Sequence, residues 1–570
     1  MTLAVVGFGP RGLACLENFL LELSLKEITA EVTIKIFEPA SELGTGKAWE
    51  LDQPFTNYIN ISDHALQNLQ GREKIVWREL TLPSFPSYAK WCRDKDEATQ
   101  SDGDKDLYPE RSQMGTYLNQ RAKSICEVLQ KKQLLQVYKE RVTHLLYANR
   151  SVVLTTLNTT HTVNECLLTL GHLPNTHSDE TKKFIAHSKN TEAIYIHDPY
   201  DAVIARDDLS ETTVAIKGFG LSMIDITRQL TNYKFGTFVE SEEEPLLQFI
   251  SEKGCVQKIV PYSLDGLPCM PKPYGRKVDQ QFEPSIEQEN NFTLALRNAL
   301  AEPDCLENAD FLLNAFSEIA AQIFSRNHTG AISKAEVPSL IIQWLKDPET
   351  SHALILDIKL PLKEYLLQSI HMAYGTVASS LDFTIGQVWR HLQPAMYRVF
   401  AFSGLPGAII KEIVDIDERT KRYSYGPPVE SMLQLVALVD AGILELRFAK
   451  DPEVEMIKEG WKFTKDDNEV AAKMLCNSVM EAPILRKLDS TLITSLQEQQ
   501  LVQEVYKDLG IKTRPDGTLI SKKENATRIP IAVVGRIAKG SVLGVDAVLE
   551  CFSPETHDWA RGVVNNLRRS

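Results

Sequence analysis

Val5-Val6-Gly7-Phe8-Gly9-Pro10-Arg11-Gly12 is the stretch that decides how this chain is read. A short apolar run precedes it, and Leu13, Leu16, Leu20 and Leu21 follow at helical spacing. That pattern predicts a strand, a tight turn and a helix. Gly7 permits the turn. Gly9 lets the backbone approach a phosphate with no Cβ in the way, and Gly12 lets the helix pack closely on the strands. The helix N-terminus then presents free N–H groups and a partial positive charge to a pyrophosphate, with Arg11 adding a full charge. The next strand, Val32-Thr33-Ile34-Lys35-Ile36-Phe37-Glu38, ends in an acid. A carboxylate there can accept both ribose hydroxyls of an adenosine, which completes a βαβ nucleotide unit.

Val214-Ala215-Ile216-Lys217-Gly218-Phe219-Gly220-Leu221 repeats the arrangement. Gly218 and Gly220 keep the first two glycines, but Met223 stands where a third would be. Ser222 is placed to hydrogen-bond phosphate, and Asp225 is expected to pair with Arg228 one helical turn on. Two such turns imply two dinucleotides, most commonly a flavin and a nicotinamide.

Length and composition set the frame. At 570 residues several domains are expected. The apolar fraction of 43% and charged fraction of 24% are those of an ordinary globular protein. A net charge of −14 argues against nucleic-acid or anionic-membrane binding. No apolar run is long enough for a transmembrane helix, and the apolar N-terminus reads as a first strand rather than a signal peptide. The cytoplasm is the expected compartment. The nine cysteines, an odd number with no close pair, read as buried thiols rather than disulfides or a metal site.

Further along, a helix is expected near 114–131. Leu134–Tyr138, Val142–Leu146 and Val152–Thr156 read as a small antiparallel meander. Cys166–Leu170 reads as a buried strand that stops at Gly171. The order then recurs after 213, with Val256–Val260 as the next strand. Leu444–Phe448 and Trp461–Phe463 form a second meander, and a closing element lies near Val470–Val479. Residues 285–425 are helix-like and predict an insertion over the substrate pocket. Glu242-Glu243-Glu244 reads as a solvated loop. The expected fold is α/β, with two Rossmann-like dinucleotide-binding domains and a helical insertion. Residues 1–205 form the first dinucleotide domain, 206–284 and 426–480 the second and 285–425 the insertion, followed by 481–570.

These residues resemble the bacterial FAD/NAD(P)-binding proteins whose N-terminus reads G-x-G-P-R-G. Those proteins are relatives of the flavin-dependent N-hydroxylating, class B-type monooxygenases. The resemblance rests on Gly7 to Gly12, Glu38, Gly44-Thr45-Gly46-Lys47-Ala48-Trp49, Asn57 to Asn60, Pro109-Glu110-Arg111 and Gly115-Thr116-Tyr117-Leu118. It continues in Leu168 to Pro174, Gly218 to Ser222 with Asp225, and Tyr262 to Pro268. At the C-terminal end it covers Val533-Val534-Gly535-Arg536, Gly540-Ser541, Gly544-Val545-Asp546 and Trp559-Ala560.

The resemblance implies an FAD in the first domain, completed by the returning C-terminal segment, and NAD(P)H on the second turn. Gly535 would end the last strand. Arg536 stands where many flavoproteins place an aspartate on the ribityl chain. A helix after Ser541 would point its N-terminus at the flavin. Asn60, Asp63 and Arg111 are candidates for the flavin–substrate region. No acid–base pair stands out as catalytic.

The implied activity is hydroxylation of a small polar molecule (an amine, an amino acid or a purine) by molecular oxygen through a flavin hydroperoxide. The alternatives are a flavin reductase or dehydrogenase without oxygen insertion, and a non-catalytic FAD-binding protein. The chain departs from its relatives where many carry an arginine after the serine near position 263, suited to a 2′-phosphate. Here Leu264 and Asp265 occupy the stretch, with Lys272 and Arg276 nearby, which leaves the choice between NADH and NADPH open.

Overall fold

The structure is a computed structural model that describes residues 1–95, 105–200, 204, 207–232, 235–241, 245–328, 336–522 and 528–569. Glu242-Glu243-Glu244 lies outside the described residues.

Two parallel sheets organise the chain. The first orders its strands Ile531–Val533, Glu165–Leu168, Thr2–Val6, Thr33–Phe37 and Leu135–Tyr138. All neighbours run parallel, with Val6 level with both Phe37 and Leu168. The three central and returning strands, Thr2–Val6, Glu165–Leu168 and Ile531–Val533, are buried on both faces and read as nearly continuous apolar runs, whereas Thr33–Phe37 and Leu135–Tyr138 alternate toward the edge. Helix Pro10–Leu25 packs against the C-terminal helix Pro554–Arg569. There Phe19 meets Trp559, and the Asn18 amide donates to the Thr556 hydroxyl at 2.8 Å.

The second sheet orders Ile194–Ile196, Met474–Asn477, Thr213–Lys217 and Lys258–Tyr262. In both sheets a strand from after the meander lies beside the strand that feeds the glycine turn. The architecture is mixed α/β with two strand–glycine turn–helix units. The closing element near 470–479 is therefore a strand.

Two strand expectations change. Leu135–Tyr138 is not part of the first meander, which is His144–Ala148, Ser151–Thr155 and Thr160–Val163. It pairs in parallel with Thr33–Phe37, because that edge needs partners for its backbone groups. The second meander is Glu453–Ile457, Gly460–Lys465 and Asn468–Ala472. Leu444–Phe448 is no strand. It rests on the edge of Lys258–Tyr262 through a bridge at Ile259 and buries Leu444 and Phe448.

The insertion is helical, as expected: Ile286–Ala299, Asp310–Asn327, Val337–Lys346, Leu362–Tyr374, Leu381–Phe400 and Gly407–Ser424. Helical structure continues past residue 425 in Val429–Asp440. One continuous apolar core joins Ile216, Met223 and Leu230 of the second domain to Phe316 and Trp389 of the insertion and to Leu433 of the helix that follows it. No helix among the described residues is long and apolar enough to cross a membrane.

Candidate functional site

The first glycine turn has the geometry its sequence predicts. Gly7 sits at φ +81°, and a Cβ there would stand 2.5 Å from the Thr169 carbonyl oxygen. Its amide donates to the Phe37 carbonyl at 2.9 Å. A Cβ on Gly12 would meet the Gly7 carbonyl oxygen and Thr169 Oγ1, each at 2.9 Å. Gly9 caps helix Pro10–Leu25 with no side-chain cap and no acid in the first turn. The positive helix end is thus left to a ligand.

Glu38 is buried, and its carboxylate is fixed by the Phe8 amide at 2.7 Å and the Ala40 amide at 3.0 Å. One bond goes to each oxygen, so each retains a lone pair for a ribose hydroxyl. Thr169 donates its hydroxyl to the Gly7 carbonyl at 2.6 Å, which ties the end of the third strand to the turn. Gly171, at φ +64°, faces open space. This donor set fits an adenosine pyrophosphate.

Several expected contacts are redirected. The Arg11 guanidinium donates to the Glu550 carbonyl at 3.0 Å and approaches the Val545 carbonyl at 3.5 Å. It pins the returning C-terminal segment instead of adding its charge to the pyrophosphate end. Gly535, at φ +116°, makes room for it, since a Cβ would lie 2.6 Å from Arg11 Nη1. Arg536 pairs with Asp546 and donates to the Glu481 carbonyl at 3.0 Å. The Ser541 hydroxyl accepts from the Thr513 amide at 3.0 Å and donates to the Ile511 carbonyl at 3.2 Å, which satisfies it internally. No helix opens directly after Ser541. The chain stays irregular through Gly544, a short 3₁₀ turn spans Leu549–Phe552, and the α-helix opens at Pro554, a residue suited to the first helical turn.

The second turn keeps the backbone geometry. Gly218 has φ +108°, and its amide donates to the Tyr262 carbonyl at 2.7 Å. A Cβ on Gly220 would meet nothing within 4 Å. Helix Leu221–Thr231 also lacks a side-chain cap. Met223 is fully buried and fills core where a third glycine would bring helix and strand together. The Ser222 hydroxyl lies 3.0 Å from the Tyr200 hydroxyl, so its side chain faces the segment that follows strand Ile194–Ile196.

Asp225 does not pair with Arg228 as expected. It accepts from Arg111 Nη2 at 2.6 Å and from the Tyr200 hydroxyl at 3.1 Å. Arg228 instead donates to Gln434 Oε1 and the Ser431 hydroxyl of the helix after the insertion. Its guanidinium also lies 4.7 Å from the Tyr58 ring centre.

Polar clamps join the two domains around these turns. Lys47 meets Asp198, which follows the second-sheet strand Ile194–Ile196 although it falls within the expected first domain, at 2.8 Å, and Gln229 donates to Asn57 Oδ1 at 3.2 Å. Asn60 donates to the Tyr425 carbonyl at 2.8 Å, and the Lys272 ammonium donates to the Asn60 carbonyl. A cavity of about 20 Å³, room for one water, is lined by Tyr58, Asn60, Arg111, Asp225, Arg228 and Ser431. Asn60 Oδ1 is buried without a hydrogen-bond partner. Asp63 accepts from the Leu107 amide at 2.9 Å and so shapes the loop that carries Arg111.

Two titratable groups here were not singled out as site residues by their sequence context. Burial first, and then Arg390, pulls the Lys272 ammonium down to about 7. Burial, reinforced by Asp63 and Asp279, pushes the Asp106 carboxyl up to about 6. Neither lies in a motif, and each acquires its surroundings from distant segments.

Residues 4–173, which carry the first glycine turn, Glu38 and Thr169, match a protein-family model described as FAD-NAD(P)-binding. Among curated proteins no sequence matches the chain. Among solved structures it is similar to ornithine hydroxylase (PvdA) from Pseudomonas aeruginosa, at 11% identity and TM-score 0.45, covering 100% of both chains. L-lysine 6-monooxygenase from Pseudomonas syringae matches at 10% identity and TM-score 0.43, with 99% of each chain covered. A thioredoxin reductase from T. acidophilum matches at 9% and 0.37, covering 99% of this chain and 98% of that one.

Proposed function

We propose that the chain is an FAD-dependent oxidoreductase that accepts hydride from NAD(P)H and hydroxylates a small polar substrate with molecular oxygen. The observation that carries this reading is the pair of glycine turns. Each ends a parallel strand, holds a glycine at positive φ and opens a helix with no side-chain cap. Gly7, Gly9 and Gly12 would shape the FAD pyrophosphate cradle. Glu38 would hold the adenosine ribose, and Gly171 would leave the flavin approach open. Gly535 and Arg11 would secure the C-terminal wall. Arg111, Asn60 and Arg536 would act on the cofactor only through the backbone and carboxylates they hold. Gly218 and Gly220 would carry the nicotinamide nucleotide.

Bound FAD would supply the redox chemistry, taking electrons from the nicotinamide and passing them to oxygen. The protein's own work is to orient the two dinucleotides and to keep water from the reacting centre. The clamps Lys47–Asp198 and Arg111–Asp225 hold the two domains at a fixed distance for that purpose. The nine free thiols support a reducing compartment such as the cytoplasm.

The test is the absorption spectrum of the purified protein, followed by anaerobic mixing with NADH and NADPH. Oxygen uptake is then measured over a panel of amines, amino acids and purines. Flavin bleaching by a pyridine nucleotide with substrate-dependent oxygen uptake is expected. Bleaching without substrate-dependent uptake would favour a reductase. No bleaching with either nucleotide would overturn the proposal.

A further inference from the structure

We propose that the second nucleotide site reads its adenosine ribose through Asp265 and takes NADH in preference to NADPH. This rests on the nicotinamide reading above. Strands Thr213–Lys217 and Lys258–Tyr262 run parallel, with Lys217 level with Tyr262. A dinucleotide whose pyrophosphate sits at the N-terminus of helix Leu221–Thr231 crosses the ends of both strands. Its adenosine then lies beyond the second. The residues that leave that strand are Ser263, Leu264 and Asp265.

Asp265 is held for this task. One carboxylate oxygen accepts from the Ser263 hydroxyl at 3.0 Å and the Leu267 amide at 3.2 Å, and the other pairs with Arg422. The side chain nevertheless remains 44% exposed, so a ribose hydroxyl can reach it. Burial acts to raise this carboxyl, but Arg422 and the hydrogen bonds outweigh it and hold it below its ordinary value. It is therefore ionised at neutral pH.

Leu264, beside Asp265, is 84% exposed and can pack on an adenine. The carboxylate is what disfavours a 2′-phosphate, although exposed Lys450 is bridged to Ser263 and its Cβ lies 2.6 Å from where a Gly266 Cβ would be. A 2′-phosphate would set its charge beside a fixed carboxylate. The guanidinium of Arg422 is already engaged by that carboxylate, and the Arg422 carbonyl accepts from the Met270 amide at 2.9 Å. Lys272 is turned away to the Asn60 carbonyl. Arg422 belongs to the insertion helix Gly407–Ser424. The insertion therefore reaches the nucleotide site and fixes its selectivity.

Direct binding tests this on the full-length, FAD-loaded protein. Calorimetry is run with NADH against NADPH, and with redox-inert ADP-ribose against 2′-phospho-ADP-ribose. The unphosphorylated member of each pair is expected to bind at least ~10-fold tighter, equivalent to about 1.4 kcal/mol. Asp265→Asn is expected to bring each ratio toward one. Leu264→Arg, at an exposed position, is expected to raise affinity for the phosphorylated probes relative to their unphosphorylated partners. Equal or tighter binding of the phosphorylated probes by the unmodified protein would overturn the inference. So would ratios that neither substitution moves. Binding of none of the four probes would overturn the nicotinamide reading itself, a distinguishable result.

Discussion

Arg111 and Asp225 lie in different domains and meet at 2.6 Å, Nη2 to Oδ2, with side chains 17% and 5% exposed. Arg111 opens the helix Arg111–Lys131 of the first domain, and Asp225 lies within the glycine-turn helix of the second. Burial taken alone would lower the Arg111 guanidinium, but Asp225 and Tyr200 outweigh it and hold it above its ordinary value. Burial likewise acts to raise the Asp225 carboxyl. With donors at 2.6 and 3.1 Å, the ionised form is the one the site supports.

Removing one member of such a pair leaves a buried charge alone. Arg111→Ala is therefore expected to cost about 3–5 kcal/mol. Urea unfolding, with limited proteolysis at the domain joint, checks it. An unchanged midpoint and proteolytic pattern would show that the pair does not hold the domains together.

Glu38 offers a sharper test of the flavin cradle. Its carboxylate accepts from two backbone amides and is expected to accept the ribose hydroxyls as well. Glu38→Gln keeps the shape but replaces one acceptor oxygen with a donor that faces an amide. Hydrogen bonds to charged groups contribute roughly 1.5–3 kcal/mol each. FAD affinity should therefore fall by about ten- to a hundredfold. The ratio of 450 nm to 280 nm absorbance after dialysis measures it. Full retention of flavin would remove Glu38 from the site.

What was legible in the sequence was local. Gly7, Gly12 and Glu38 could be read because a tight turn, a close helix–strand approach and a strand end each impose a residue type within a few positions. The partners of Arg11, the Val545 and Glu550 carbonyls, were not legible because they lie at the other end of the chain. Asp225 was assigned to Arg228 on helical spacing, yet a residue from another domain reached it first. Leu135–Tyr138 alternates like a meander strand, and no local feature shows that the edge of Thr33–Phe37 lies free to receive it. The same limit hid Asp106 and the burial of Lys272, whose environments come from segments far away in the sequence, such as Asp279 for Asp106 and Arg390 for Lys272.

Asp106 gives a pH signature. Its carboxyl is raised from an ordinary 3.8 to about 6, by burial and then by Asp63 and Asp279. Between those values the folded protein binds more protons than the unfolded chain. The group therefore makes stability fall as pH rises through that window. Asp106→Asn is expected to raise Tm relative to the parent above pH 6 and to leave it unchanged near pH 4. Differential scanning calorimetry from pH 4 to 8 reads this. A Tm difference independent of pH would assign the effect to packing instead.

Glu17 sits between two arginines in the first domain and is the most demanding buried charge there. Arg72 Nη1 reaches Glu17 Oε1 at 2.9 Å, and Arg121 Nη2 reaches Oε2 at 2.6 Å, with all three side chains less than 10% exposed. Arg121 also lies 4.6 Å from the Phe552 ring centre, which links the triad to the returning C-terminal segment. Glu17→Ala would leave two guanidiniums without their counter-ion, at an expected cost of about 3–5 kcal/mol. Removing all three charges is expected to cost less than Glu17→Ala alone, because the triple variant leaves no unpaired buried charge. Comparing urea midpoints of Glu17→Ala with Glu17→Ala/Arg72→Met/Arg121→Met decides it. A triple variant less stable than Glu17→Ala would mean that the arginines act mainly through their bonds to the Pro83 and Gln70 carbonyls.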